Sequence, residues 1–203
     1  INVLVFLAQR TIGKDTGFLE NTFALHTWQS PLFRPWQFIT HMFMHGGWEH
    51  LFFNMFALWM FGSVLENLWG PKKFLTFYLI CGLGAALCHM GVLYFEMQHF
   101  IDQYNAINIS SPTYVQDLTH FIQENNFLNG LPCQFSNNIP GFAQFLYDQK
   151  LNEATLGASG AIFGCLAAFG FLFPNTYIYL YFFIPIKAKW FVIFFFVFEL
   201  YMT

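Results

Sequence analysis

Residues 154–186 contain no Asp, Glu, Lys or Arg across 33 positions, and residues 74–95 contain none across 22. A helix needs about 20 consecutive apolar residues to cross the hydrocarbon core of a bilayer, so runs of this length commit the chain to a membrane. The composition agrees. Only 9% of the 203 residues are charged, against about 25% in a soluble protein, and Phe alone occurs 30 times. So few charges cannot cover a water-soluble domain of this size. An ordinary cytosolic enzyme, a disordered chain and a coiled coil are excluded. A net charge of −3 offers no basic face to nucleic acid.

The spans follow from where the apolar runs stop. Residues 1–8 read as the end of a first helix, stopped by Gln9-Arg10 and lacking the charged start and cleavage site of a signal peptide. Residues 48–70 and 73–97 read as the second and third spans. Pro174-Asn175 closes a fourth, 155–173, because proline disfavours helical geometry in the residue before it. A Tyr- and Phe-rich connection, 174–189, then leads into the start of a fifth span, 190–203. The chain reads as a piece of a longer protein, an all-α polytopic membrane helix bundle cut at both ends.

Two polar segments lie between spans. Residues 9–47 form one; the other is an insert, 98–153, with Asp102, Asp117, Glu124, Asp148 and Glu153 against Lys150. The spacing over 115–127 suits short helices, so a small folded cap is expected. Lys72, Lys73, Lys187 and Lys189 fall in two short connections without acids, whereas Arg10, Lys14, Arg34 and Lys150 are spread through the long segments. The positive-inside rule weights short loops. It puts the four lysines in the cytoplasm and both polar segments on the outer side, with a bacterial inner membrane as the expected setting. Cys81, Cys88 and Cys165 lie in apolar runs and read as small buried hydrophobes. Cys133 stands alone in the insert, and no spacing suits a zinc site or a redox pair.

Polar groups inside a span are costly, so each one is a functional hypothesis. The first concentration is His41-Met-Phe-Met-His45-Gly46-Gly47-Trp48-Glu49-His50-Leu-Phe-Phe-Asn54. The two glycines can break the chain, so the second span starts near Trp48. His50 and Asn54, four apart, then share one helical face just below the outer surface. Alone, that pair reads more simply as hydrogen bonding between helices. The second concentration is Gly157-Ala158-Ser159-Gly160, with Phe163-Gly164 following. Ser159 stands at the start of the fourth span, near helix N-terminal amides that favour negative charge. Gly160 and Gly164 make a small-residue packing face. Together the two concentrations put a serine nucleophile and two hydrogen-bond donors at matching depth.

This ordered pattern, His41-x-x-x-His45-x-x-x-x-His50-x-x-x-Asn54 followed by Gly157-Ala-Ser159-Gly160, resembles the rhomboid family of intramembrane serine proteases. Trp36 before the histidines and Glu66-Asn-Leu-Trp-Gly70 closing the second span add to it. The resemblance implies a six-helix core, of which this chain is part. It implies Ser159 as nucleophile on a loop with Gly157 and Gly160, and an oxyanion held by His50, Asn54 and the Ser159 amide. His41, His45, Glu66 and Phe163 would be supporting residues, Glu66 by tying loop or helix ends and Phe163 as an aromatic beside the catalytic histidine. The substrates would be single-span membrane proteins, cleaved within or beside their transmembrane segment. Neither cofactor nor metal is implied, and the partners are membrane proteins and the lipid bilayer.

The chain departs from the family pattern in three ways. The general base should be a histidine in a sixth span, and no histidine follows His120. Gln37 follows Trp36 where many members have Arg. The insert is longer than the short connection of compact members. A non-catalytic relative that binds membrane helices is the alternative reading, although Ser159 is retained. A metal centre on His41, His45 and His50 is disfavoured, because Gly46-Gly47 interrupt the run and no His-Glu-x-x-His sequence is present.

Overall fold

Gln9 and Arg10 do not stop the first helix. In the computed structural model, which describes residues 1–12, 17–125, 138–180 and 184–202, α1 (Asn2–Thr11) runs through both. Buried Gln9 exchanges two hydrogen bonds with the His45 backbone: its Oε1 accepts from N at 3.1 Å and its Nε2 donates to O at 3.3 Å. Arg10 donates to the Gly46 carbonyl at 2.9 Å. Polar side chains that look like a helix end are thus satisfied by a segment 36 residues away. The loop that follows holds α2 (Phe18–Phe23), the short strand β1 (Leu25–His26) and α3 (Gln37–Thr40), then a 3₁₀ turn over His41–Phe43. It is seated on the bundle through Leu25, which packs with Ala86 and Met90.

After an extended Gly47, α4 (Trp48–Ala57) continues through a π-helical turn, Leu58–Gly62, into α5 (Ser63–Trp69). Together they make one apolar helix of 22 residues, long enough to cross a membrane. Gly70, at φ +79°, reverses the chain in a single residue. Pro71 then opens α6 (Pro71–Asn105), at a position where its missing N–H has no helical partner to lose. This helix continues past the expected 97 for a total of 35 residues. At 1.5 Å per residue that is roughly 52 Å, against a hydrocarbon core of about 30 Å. Its last turns therefore stand outside the apolar layer. There Met97 and Phe100 join Leu118, Phe121 and Ile122 of α7 (Tyr114–Glu124) and Phe142, Ala143 and Leu146 of α8 (Ile139–Leu151) in a core of their own. The insert is a helical cap carried on the third membrane helix. Its residues 126–137, including Cys133, lie outside the described residues.

The fourth span starts later than its hydropathy suggests. Ala154 and Thr155 form β2, paired antiparallel with His26 and Leu25, and α9 (Ser159–Leu172) opens only at Ser159. Beyond Pro174 the connection is not plain chain but a hairpin, β3 (Tyr177–Leu180) with β4 (Ile184–Lys187), followed by α10 (Ala188–Met202). Its aromatic and β-branched residues favour a pleated strand. Ile178 is buried with Phe61, Leu166 and Phe169, so the hairpin closes the end of the bundle away from the cap. Cys165 is buried as expected, whereas Cys88 is exposed on the outward face of α6 beside the exposed Leu87.

Helices α6 and α9 approach through small residues. A Cβ added at Gly160 would lie 2.5 Å from Ala85 Cβ, and one at Gly164 would lie 2.5 Å from Cys81 Sγ. Lipid gives apolar helices no hydrophobic reason to associate, so close van der Waals packing of this kind holds them together. Met42 from the 3₁₀ turn lies over Gly82 in the same seam. Gly164→Val should push α9 off α6 and lower stability by about 1–3 kcal/mol, as overpacking does. A detergent unfolding titration reads the loss. Gly84→Ala, where an added Cβ meets nothing within 4 Å, should stay close to wild type.

Candidate active site

His50 and Asn54 lie one turn apart on α4, and the chain that precedes Ser159 is pressed against both. Gly157 has φ +123°, a conformation that L side chains rarely adopt. A Cβ on it would sit 2.8 Å from His50 Cε1 and Nε2 and 3.7 Å from Asn54 Nδ2. Only glycine permits this approach. The Gly157 N–H donates to the His41 carbonyl at 3.0 Å, which fixes the segment from its other side. Asn54 Nδ2 is buried and has no hydrogen-bond partner among the described residues. A free donor thus sits beside the backbone that leads, two residues on, into half-buried Ser159 at the first position of α9. The first-turn amides of that helix have no intrahelical acceptor.

The fold brings His41 and His45 to the same place. The His45 ring meets the His50 ring edge-on at 5.2 Å between centroids. His41 is buried, and its Nδ1 lies 2.8 Å from the Gln37 carbonyl, which fixes the ring. Gln37 is itself fully buried. Its Oε1 accepts from the backbone N–H of His26 and Arg34, and its Nε2 donates to the Leu32 carbonyl at 2.9 Å. The neutral amide therefore organises the loop where a charged residue was the family expectation.

Both loop histidines are held neutral. Burial pushes His41 below its ordinary value, and burial followed by the neighbouring His50 pushes His45 down to about 4. Because His45 binds its proton more weakly folded than unfolded, its contribution to stability is complete above about pH 6.5. That contribution is lost as pH falls from 6.5 towards 4, by at most on the order of 3 kcal/mol. Unfolding measured at steps between pH 7 and 4.5 should show this decline, and His45→Gln should flatten it.

The remaining candidates sit elsewhere. Gly160 lies in the α6 seam. Phe163 packs on Phe195 of α10 at 5.4 Å between centroids, and pairs with no histidine ring among the described residues. Glu66 is exposed on α5, towards the far end of the second span, and its carbonyl accepts the Gly70 N–H that ends the helix. Sequence reading missed Gln9, Gln37 and the pairing of His89 with Thr155. Gln9 and Gln37 were visible as polar residues, but no spacing links them to partners so distant in the chain.

These elements define a polytopic helical membrane protein in which histidine and asparagine side chains lie against the backbone that leads into Ser159. The family model described as Rhomboid domain matches residues 33–99 and 135–203, and the chain belongs to the rhomboid family, an integral membrane protein family that includes serine proteases. It is 28% identical over 162 residues to an uncharacterised mitochondrial rhomboid protein of Schizosaccharomyces pombe, covering 76% of this chain and 39% of that one. It is 36% identical over 64 residues to the rhomboid protease AarA of Providencia stuartii, covering 32% of this chain and 23% of that one. With the rhomboid protease GlpG of Salmonella newport it shares 30% identity over 87 residues, 40% of this chain and 29% of that one. The chain thus spans well under half the length of these relatives. No solved structure matches it.

Proposed function

We propose that the chain is part of an intramembrane serine endopeptidase acting on single-span membrane proteins. The observation that carries this reading is the contact of Gly157 with His50 and Asn54 immediately before Ser159. It supports a reaction in which Ser159 Oγ attacks the scissile carbonyl, and the oxyanion accepts hydrogen bonds from His50, Asn54 and the Ser159 amide. The serine proton passes to a general-base histidine, which then protonates the leaving amine. Water hydrolyses the resulting acyl-enzyme and reaches it past His41 and His45.

The length of α9 supports an aqueous pocket. Its 14 residues cover roughly 21 Å, short of a core of about 30 Å. The strand and loop 154–158 would then lie at membrane depth, and non-helical backbone is tolerated there only inside protein or beside water. Fluorophosphonate treatment of the full-length protein tests the reading. Covalent labelling at Ser159 is expected. No labelling together with retained binding to membrane helices would select the non-catalytic relative.

The orientation proposed has Lys72 and Lys187 in the cytoplasm, with the cap and Ser159 on the other side. In intact cells an impermeant thiol reagent should label Ser110→Cys in the cap and not Lys72→Cys, each placed as the single cysteine of a protein whose four native cysteines are replaced. The opposite pattern inverts the topology. The membrane is proposed to be a bacterial inner membrane, and the mitochondrial and chloroplastic relatives make organelle fractionation the check.

A further inference from the structure

We propose that His89 is a positioning residue for the nucleophile segment, acting through Thr155. The proposal rests on the protease reading of Ser159. His89 Nε2 and Thr155 Oγ1 share a hydrogen bond at 2.8 Å. Among the described residues it is the one side-chain hydrogen bond made by residues 154–159. Either ring tautomer suits it, because a hydroxyl both donates and accepts.

The place of this bond in the packing gives it a purpose. Cys81, Ala85 and His89 recur every four residues and so share one face of α6. Along that face Cys81 meets Gly164, Ala85 meets Gly160 and His89 meets Thr155. The first two contacts are close packing of helix on helix. At the third, α9 has ended and its backbone can no longer pack as a helix. A long polar side chain reaches across and holds the strand instead. An ionisable residue in a membrane helix is costly and marks function when a partner can be named; here the partner is Thr155. Two residues later stands Gly157, seated on His50 and Asn54, and two further Ser159. The bond therefore limits how far the nucleophile segment can slide along α6.

Releasing the segment should displace Ser159 without emptying the substrate site. A misplacement of about 1 Å can cost roughly 10²-fold in rate. In the full-length protein, His89→Ala and Thr155→Val should each lower kcat about tenfold or more with KM little changed. Their double mutant should be no worse than the poorer single, since both remove one bond. His89→Gln keeps a donor of similar reach, and Thr155→Ser keeps the hydroxyl; both should recover most of the rate. Amide exchange over residues 155–158 supplies a readout independent of activity, and should be faster in the two disruptive variants and restored in the two conservative ones. Wild-type exchange and kcat in His89→Ala, or full additivity in the double mutant, would overturn the tether. A wild-type protein inert to fluorophosphonate would overturn the protease reading instead, and exchange then decides the tether alone. If His89→Ala does not fold, Thr155→Val against Thr155→Ser carries the same comparison.

Discussion

Ser159→Ala is expected to abolish cleavage and fluorophosphonate labelling while leaving the bundle assembled. The hydroxyl is the only group removed. Half-buried Ser159 makes no side-chain hydrogen bond among the described residues, so stability should change by less than about 1 kcal/mol. His50→Ala and Asn54→Ala should each slow turnover by about 10²–10³, the usual cost of one oxyanion donor. Because both donors are proposed to face one oxyanion, the double mutant should fall short of the product of the two losses. Single-turnover cleavage of a reconstituted substrate gives these rates. Full activity in Ser159→Ala sinks the protease reading, and a wild-type rate in both donor mutants sinks the oxyanion assignment alone.

Gly157→Ala should be nearly as damaging, although no functional group is lost. The φ of +123° strains any residue with a Cβ, by roughly 1–3 kcal/mol for an unusual backbone conformation. The added methyl would also lie 2.8 Å from the His50 ring. Either the ring or the 156–158 segment must shift by an appreciable fraction of an ångström. Both side-chain donors proposed for the oxyanion are on that contact, so a fall in kcat of about 10² or more is expected. Gly47→Ala is the contrasting case: an added Cβ there meets nothing within 4 Å, and turnover should stay within a few-fold of wild type. Equal behaviour of the two variants would mean that the closeness of Gly157 to His50 has no catalytic consequence.

Much of this protein could be read from the one-dimensional chain. The uncharged runs are long because lipid rejects charge along a whole span, so they survive as a sequence signal without any knowledge of packing. His50 and Asn54 were legible as a pair because helical periodicity alone puts residues four apart on one face. Gly160 and Gly164 were legible as a packing face for the same reason, though not which helix they meet. What periodicity cannot carry is contact between segments far apart in sequence. Gln9 reaches His45, Gln37 gathers the loop, and His89 holds Thr155, in each case through hydrogen bonds that any polar residue could have made elsewhere. The start of α9 was misjudged by the same blindness. Residues 154–158 are uncharged like the helix they precede, and pairing of Ala154 and Thr155 with β1 and the bond from Gly157 to the His41 carbonyl hold them out of it. Hydropathy reports what the membrane will accept. Whether that backbone coils or stays straight is decided by which tertiary partner takes its hydrogen bonds.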